Sequence, residues 1–555
     1  MIPPHRSAEA RFEAELWNHR SVPDTLRAHG GRAVLKNFQP SKYDFLPFAP
    51  ILAAVFFILT ANLVLIFFRL RLSYPVSLWE AGIVTDAWRM LQGESIYAID
   101  IDHATHTFGP LITIVLAQIF KLTGPTLEAG RIVSAILGTS AVLLLATVFG
   151  RSDRLTFVIA VALLLAANSR TDHYFTETRP DTDSVFFATA ALIVLYQGQE
   201  LKEKAPRVVF TALGSTLLVI AVMFKQTAIA FMFVPALAML AQFQRASFRN
   251  QFLVAAAPIV SVLLTFASIW HFAPGLWHFM VEVPAQSNIS VLRLGRVAVE
   301  LLASVPLFVL ALMHWLFTDA QGGWRAPHAR WLMAVMICAI PTSLAAFARA
   351  GEHLHSLMPA LFAIGAFCAW RVPAASALLR DNRRSLPLRT FAGILFGLLL
   401  FAQAYPAPGV LWEALYGGNG VSDRSLLIAE ARPLVIAEAR SLPGKVISPD
   451  DPTIALFAKG YAGRTVVFEG DAVSWDSSRS QALVKEINSA DYVIAWRHVL
   501  LLPEGKMLVT SMGWGTTAEA LQASGFSKSA FRTTSSPEYE LWRRTRAPDL
   551  APPLR

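Results

Sequence analysis

The sequence predicts a polytopic α-helical membrane protein that carries a small α/β domain at its C-terminal end. Three observations lead there. Hydrophobic residues make up 54% of the 555 and charged residues only 16%, with a mean hydropathy of +0.46, a balance that a soluble domain cannot keep dispersed. Apolar runs near bilayer-crossing length recur from Phe45 to Ala404, with Lys and Arg in short clusters between them. From Pro406 onward the apolar runs shorten and the charges spread evenly, as in a water-facing α/β domain. The formal charge of +9 belongs to the clusters between spans, and no basic stripe or nucleic-acid motif accompanies it, so no nucleic-acid partner is expected. Both cysteines, Cys338 and Cys368, fall in expected spans, which leaves the exposed parts without a disulfide framework or a thiolate metal site.

Residues 1–44 form a polar segment with Arg6, Arg11, Arg20, Arg27, Arg32, Lys36 and Lys42. No apolar core follows within roughly 30 residues, as a cleavable signal would need, so this segment is expected in the cytoplasm. Phe45–Phe68 is the first span, and Arg69 and Arg71 anchor its outer end. The loop 70–130 then faces outward. In it Val84, Ala87, Trp88 and Leu91 recur at helical spacing between an N-cap at Ser77 and a terminating Gly93, which predicts an amphipathic surface helix. Leu111–Leu122 is apolar yet short of the roughly 17 residues that cross a bilayer, and reads as a second interfacial helix.

The turn Arg151-Ser-Asp-Arg154 is typical of a cytoplasmic connection, and it sets the direction of the spans on either side. Spans are expected at Arg131–Phe149, Leu155–Asn168, Ser184–Tyr196, Val208–Phe224, Thr227–Phe243, Phe252–Trp270, Val297–Phe317, Trp331–Phe347, Leu357–Trp370 and Thr390–Ala404. With the first, they make about eleven. The transmembrane domain is thus 45–405, and the strongest basic cluster, Arg371 to Arg389, puts the C-terminal domain 406–555 outside a cytoplasmic (inner) membrane. That domain alternates expected helices (Asp423–Leu442, Ser480–Ser489, Thr517–Ser524) with expected strands (Lys445–Ser448, Thr465–Glu469, Tyr492–Trp496, Tyr539–Trp542). It lacks dinucleotide, P-loop and nucleophile-elbow motifs, and is assigned binding or structural work.

Chemistry concentrates in the outward loops. Glu80, three residues after Ser77, has capping-box spacing, and Asp86 lies further along the same helix. Asp100, Asp102, His103 and His106 make a polar run whose His-x-x-His leaves a divalent metal open. Glu177-Thr-Arg179-Pro180-Asp181-Thr-Asp183 either closes a loop onto a helix or supplies carboxylates and a cation. Lys225 and Arg349 are isolated cations at span ends, where snorkelling anchors also occur. Together these loops offer a carboxylate that can accept a hydroxyl proton beside cations that can hold a phosphate. Those are the requirements for moving a group off a phosphorylated carrier.

In order, the chain presents Trp79-Glu80-Ala-Gly with Gly93 and Tyr97, then Phe108-Gly-Pro-Leu111 with Gly124 and Arg131, then Arg179-Pro-Asp181, Phe224-Lys-Gln-Thr227, and Arg349-Ala-Gly-Glu-His-Leu-His-Ser-Leu-Met-Pro359. Over about its first 370 residues it resembles the GT-C class of integral-membrane glycosyltransferases, particularly the protein mannosyltransferase and aminoarabinose transferase group. The resemblance implies a polyprenyl-phosphate-linked sugar donor taken from the lipid bilayer, inversion at the anomeric carbon, and a glycan, lipid or protein acceptor. It implies no certain cofactor. The base it implies is the acid of the first outer loop, here Glu80. Trp79 stands where the family commonly has another acid, which leaves the choice between Glu80 and Asp86 open. The family's donor-phosphate lysine near Pro110 is replaced by Phe108-Gly109, so His103, His106 or Lys225 would supply that charge. His353 or His355 replaces an asparagine of the last motif. Donor binding is accordingly expected from His103, His106, Arg131, Arg179, Asp181, Lys225, Arg349, His353 and His355. A lipid or sugar transporter or flippase, or an inactive relative serving as an assembly subunit, is the alternative. Against transport, the polar residues sit in outer loops and not at mid-membrane positions.

Overall fold

The computed structural model describes residues 45–100, 103, 106–150, 152–171, 174–241, 245–286, 289–319, 326–349, 354–381, 383–404, 421–466, 468, 479–496, 521–522, 524–532 and 539–545. Among them, a helix stands at each of the eleven expected span positions. These are α1 (Ala49–Leu70), α4 (Leu127–Leu145), α5 (Arg154–Arg170), α6 (Pro180–Glu200), α7 (Lys204–Phe224), α8 (Val234–Leu240, after a 3-10 stretch Gln226–Phe233), α9 (Arg245–Phe272), α10 (Val291–Ser304) with α11 (Pro306–Asp319), α12 (Pro327–Phe347), α13 (Met358–Arg380) and α14 (Leu386–Ala404). The helices of the first loop are α2 (Leu78–Leu91) and α3 (Pro110–Thr123); the amphipathic surface helix expected at α2 is corrected, since Glu80 to Ala87 and Arg89 are all buried and none of its residues is exposed.

Among the described residues, seven helices are long and apolar enough to cross a membrane by themselves, rising to eight if a bent pair counts as one span. The others fall short for visible reasons. Helix α5 has 17 residues, α6 carries Asp181 and Asp183 in its first turn, and 226–240 is split between 3-10 and α geometry. The expected single span Val297–Phe317 is corrected: α10 and α11 meet at 75°. The break sits at Val305, whose backbone leaves the helical region, before Pro306, which has no N–H with which to continue the ladder.

Packing follows the small and branched side chains. Helices α6 and α7 lie along one another, α1 packs on α14 and α5, and α13 on α5 and α12. The buried core runs from Ile58 and Leu163 through Phe175 to Phe362, Phe367 and Trp331. One close approach fixes the loop to the bundle. A Cβ at Gly109 would lie 2.0 Å from the carbonyl oxygen of Met223 at the end of α7, so only glycine lets the 106–109 segment lie against that helix terminus.

The C-terminal domain contains α15 (Val421–Ser441), α16 (Pro452–Lys459), α17 (Arg479–Ile487) and a sheet in the order β1 (Val446–Ile447), β2 (Tyr492–Trp496), β4 (Tyr539–Arg544), β3 (Phe526–Ser529). Strand β1 is parallel to β2, and the other two pairings are antiparallel. The period of two divides β2 cleanly. Tyr492 and Ile494 join α15 and α16 on one face, and Val493 and Ala495 join Leu483 and Ile487 of α17 on the other. The strand expected at Thr465–Glu469 is not found, since Val466 and Phe468 are helical and the Phe468 N–H is taken by Thr465 Oγ1 at 3.1 Å. Strand β3 has no counterpart among the expected strands. Of the expected helix Thr517–Ser524, only Leu521, Gln522 and Ser524 lie within the described residues. The domain is seated on the loop 70–130: Leu72 and Tyr74 enter its core, while its Leu456 and Phe468 enter the cluster of α2 and α3.

Candidate active site

Ser77 caps α2 as its sequence position predicts, accepting the Glu80 N–H at 3.2 Å. The Glu80 carboxylate turns inward. It accepts Arg131 Nε and Nη2, both at 2.8 Å, the Val76 N–H at 2.7 Å, and the Thr178 N–H and hydroxyl at 3.2 and 2.9 Å. Arg131 spends its remaining donors on the carbonyls of Arg69, Leu72 and Tyr74 at 3.1, 2.6 and 2.6 Å. Both side chains are 0% exposed. Five donors exceed the roughly four lone-pair directions of a carboxylate, so this fork pins the loop and leaves Glu80 no vacant acceptor site.

Beside it the Ser77 hydroxyl donates to Glu177. Burial raises the Glu177 carboxyl to about 7, against the pull of Arg179 and with a further push from Glu80. Between the ordinary value of 4.5 and about 7, the folded chain therefore holds a proton that the unfolded chain has lost. The resulting stability is complete below the lower value and is lost as pH rises through the upper one. The denaturation midpoint of the protein is expected to fall between pH 5 and pH 8, and that of Glu177→Gln to fall less. Equal slopes would dismiss this assignment.

Further along α2, Asp86 Oδ1 accepts Arg89 Nη1 at 2.6 Å, and Oδ2 lies 2.8 Å from His106 Nδ1. Arg89 also reaches the carbonyls of Ala462 and Gly463 at 2.8 and 2.5 Å. The His106 ring is enclosed edge-on by Tyr97, Phe108 and Phe468, and its Nε2 is buried without a hydrogen-bond partner. His103 is exposed. Its carbonyl accepts Arg464 Nη1 at 2.9 Å, and its Nδ1 lies 3.8 Å from Asp100 Oδ2. Asp102 lies outside the described residues.

A third cluster joins three distant segments. Lys225 Nζ lies 2.5 Å from Asp181 Oδ1, and Arg179 Nε 3.6 Å from Asp181 Oδ2. Arg179 Nη2 is 3.2 Å from His355 Nε2. The His355 ring lies against Tyr174, and the Arg179 guanidinium also faces the rings of Trp79, Phe108 and Tyr174. Asp181, Lys225, His355, Ser184 and Ser343 line one cavity. Val185, Phe231 and Pro359 are shared with an apolar cavity between the helices, walled by Leu145, Phe149, Trp331 and Phe362.

No protein-family model and no curated protein matches the sequence. Solved structures do. ArnT of Cupriavidus metallidurans bound to undecaprenyl phosphate superposes with a TM-score of 0.50 at 13% identity, over 90% of this chain and 98% of that one. The apo form of the same enzyme gives 0.51 at 13% identity, over 88% and 98%. The chain has the GT-C fold.

The GT-C frame gathers Arg179, Asp181, Lys225 and His355 into one cluster at the polar cavity, joins Asp86 to His106, and joins Glu80 to Arg131. Arg349 does not line that cavity; its backbone is bridged to Ile289. His353 lies outside the described residues. Tyr174 and Glu177 are not among the expected site residues, although Glu177 opens the stretch that supplies Arg179 and Asp181. Asp183 is wholly buried and neither carboxylate oxygen has a hydrogen-bond partner. Among the described residues, no three of His, Cys, Asp and Glu gather in a way that would hold a metal ion.

Proposed function

We propose that this protein transfers a sugar from a polyprenyl-phosphate carrier to an acceptor hydroxyl, with inversion. The observation that carries the reading is a pair of adjoining cavities. A chamber lined by Asp181, Lys225 and His355, with Arg179 bonded to His355, shares the wall residues Val185, Phe231 and Pro359 with an apolar one between the helices. That suits a ligand with a phosphate at one end and an isoprenoid tail at the other. ArnT, of the same fold, was solved with undecaprenyl phosphate.

In this reading the acceptor oxygen attacks the anomeric carbon on the face opposite the phosphate. The carbon–oxygen bond to phosphate breaks, and the carrier phosphate leaves as an anion beside Lys225, Arg179 and His355, so it needs no general acid. The acceptor's proton needs a base. With the Glu80 lone pairs all engaged, the reading takes Asp86 and His106 as that base: the carboxylate holds Nδ1 and leaves Nε2 to receive the proton. Glu80 becomes the anchor of the loop.

Purified protein in sealed vesicles, supplied with a polyprenyl-phosphate sugar and candidate acceptors, should release free carrier phosphate. Movement of intact lipid-linked sugar across the bilayer without its consumption would indicate a transporter instead. His106→Ala should lower turnover per folded molecule about 10²–10⁴-fold, the span for loss of a general base, with Asp86→Asn following it. Unchanged rates would return the base to another carboxylate.

A further inference from the structure

The break before Pro306 leaves α10 with three distinct faces. At about 100° per residue, Val291, Leu292, Val299 and Leu302 fall in one arc, and they are 80, 88, 66 and 60% exposed. Val297 and Leu301 form a second arc, buried against the bundle. Arg293, Arg296 and Glu300 occupy the third, with Arg296 79% exposed and its Nε 2.9 Å from Glu300. An apolar arc that open to water would be unusual for a 14-residue helix. One that faces hydrocarbon is ordinary.

We infer that α10 lies in the plane of the membrane at the interface on the side of the candidate site. Its partner is the lipid monolayer itself: acyl chains under the Val291–Leu302 arc, and headgroup phosphates level with Arg293 and Arg296. Two dimensions agree with this. Helix α11 has 14 residues, and its apolar part, Pro306–Phe317, ends before Thr318 and Asp319, roughly 18 Å at about 1.5 Å per residue. That is about 12 Å less than a hydrocarbon core of about 30 Å, and an interfacial helix resting about 5–10 Å deep covers most of the difference. A span entered from such a helix has only the remainder to cross. At 75° to α11, α10 itself gains little depth.

The start of α10 is tied to the segment leading to the site. Ser290 N–H donates to the Ala348 carbonyl at 3.0 Å, and Ile289 bridges Arg349. Arg293 Nη1 donates to the Arg349 carbonyl at 2.8 Å, a few residues before His355. The side of the membrane that α10 occupies is therefore the side of the cavity, whichever way the protein is inserted.

Spin labels on single cysteines test this in the full chain, because native Cys338 and Cys368 are buried. Leu292→Cys, Val299→Cys and Arg296→Cys would be labelled and reconstituted in vesicles of phosphatidylcholine and phosphatidylglycerol. Collision with oxygen, which partitions into lipid, would be compared with collision with a water-soluble nickel chelate. Labels at 292 and 299 should meet oxygen and not nickel, and the label at 296 should show the reverse. Nickel access at 292 and 299 would overturn the inference by lifting the helix off the membrane. Shielding of both from either reagent would overturn it by placing a protein or a second copy there. Oxygen preference at all three positions would overturn it by making the helix part of a crossing.

Discussion

Replacing Lys225 by methionine is expected to lower turnover of a polyprenyl-phosphate sugar about 10²–10³-fold, the range for removing one group that stabilises developing charge in a closed site. The ammonium is buried and 2.5 Å from Asp181, where little water remains to take over its work. Methionine preserves most of the apolar stem, so a fall in rate would report the charge. Lys225→Arg should recover part of it. Arg380 and Arg384 provide the control. They are about half exposed and paired with Asp153 and Asp381 at 3.0 and 3.6 Å, outside the cavity, and Arg380→Gln and Arg384→Gln should leave turnover unchanged. Equal, small effects at 225, 380 and 384 would remove the phosphate from this cavity.

Arg131→Met is expected to cost the fold, not the chemistry. Removing one partner of a buried ion pair costs about 3–5 kcal/mol. Here three loop carbonyls, those of Arg69, Leu72 and Tyr74, lose their donor as well. Glu80→Gln, which keeps the shape but leaves Arg131 charged and buried, should act in the same direction. Both would show as a lowered thermal midpoint and poor recovery from membranes, with turnover per folded molecule largely kept in whatever Glu80→Gln protein survives. A Glu80→Gln protein of unchanged midpoint that has lost turnover would make Glu80 the base and end its role as an anchor.

The features legible in the sequence are those that depend on period and sign. Ser77 at an N-cap, the helix ending before Gly93, the short run Leu111–Leu122 and the strand Tyr492–Trp496 each come from spacing within a few residues, and the folded chain has them. The division of Val297–Phe317 is not legible, because mean hydropathy is blind to a bend and Pro306 is as much at home at a helix start as at a break. Thr465–Glu469 has strand composition, but the Val466 N–H donates to the distant Pro449 carbonyl and the Phe468 N–H to Thr465 Oγ1, and composition shows neither bond. The site shows the same limit. Glu80, Asp86, Arg179, Asp181, Lys225 and His355 stand out by residue type, whereas most of their partners lie tens to hundreds of positions away. Nothing local pairs Glu80 with Arg131, or Arg179 with His355.

Those separations also set a timetable for synthesis. Helix α2 can form once its 14 residues have emerged, but the side chain that pins Glu80 lies 51 residues later. The carbonyl of Gly463 that Arg89 grips lies 374 residues later. At about 5–20 residues per second, that second contact is on the order of 20–75 s behind Arg89 itself. Throughout that interval the Asp86–His106 pair lacks Phe468 and the Arg89 clasp. The chain thus cannot complete this part of its own loop until the domain that carries Gly463 and Phe468 has been made and delivered to the same face of the membrane.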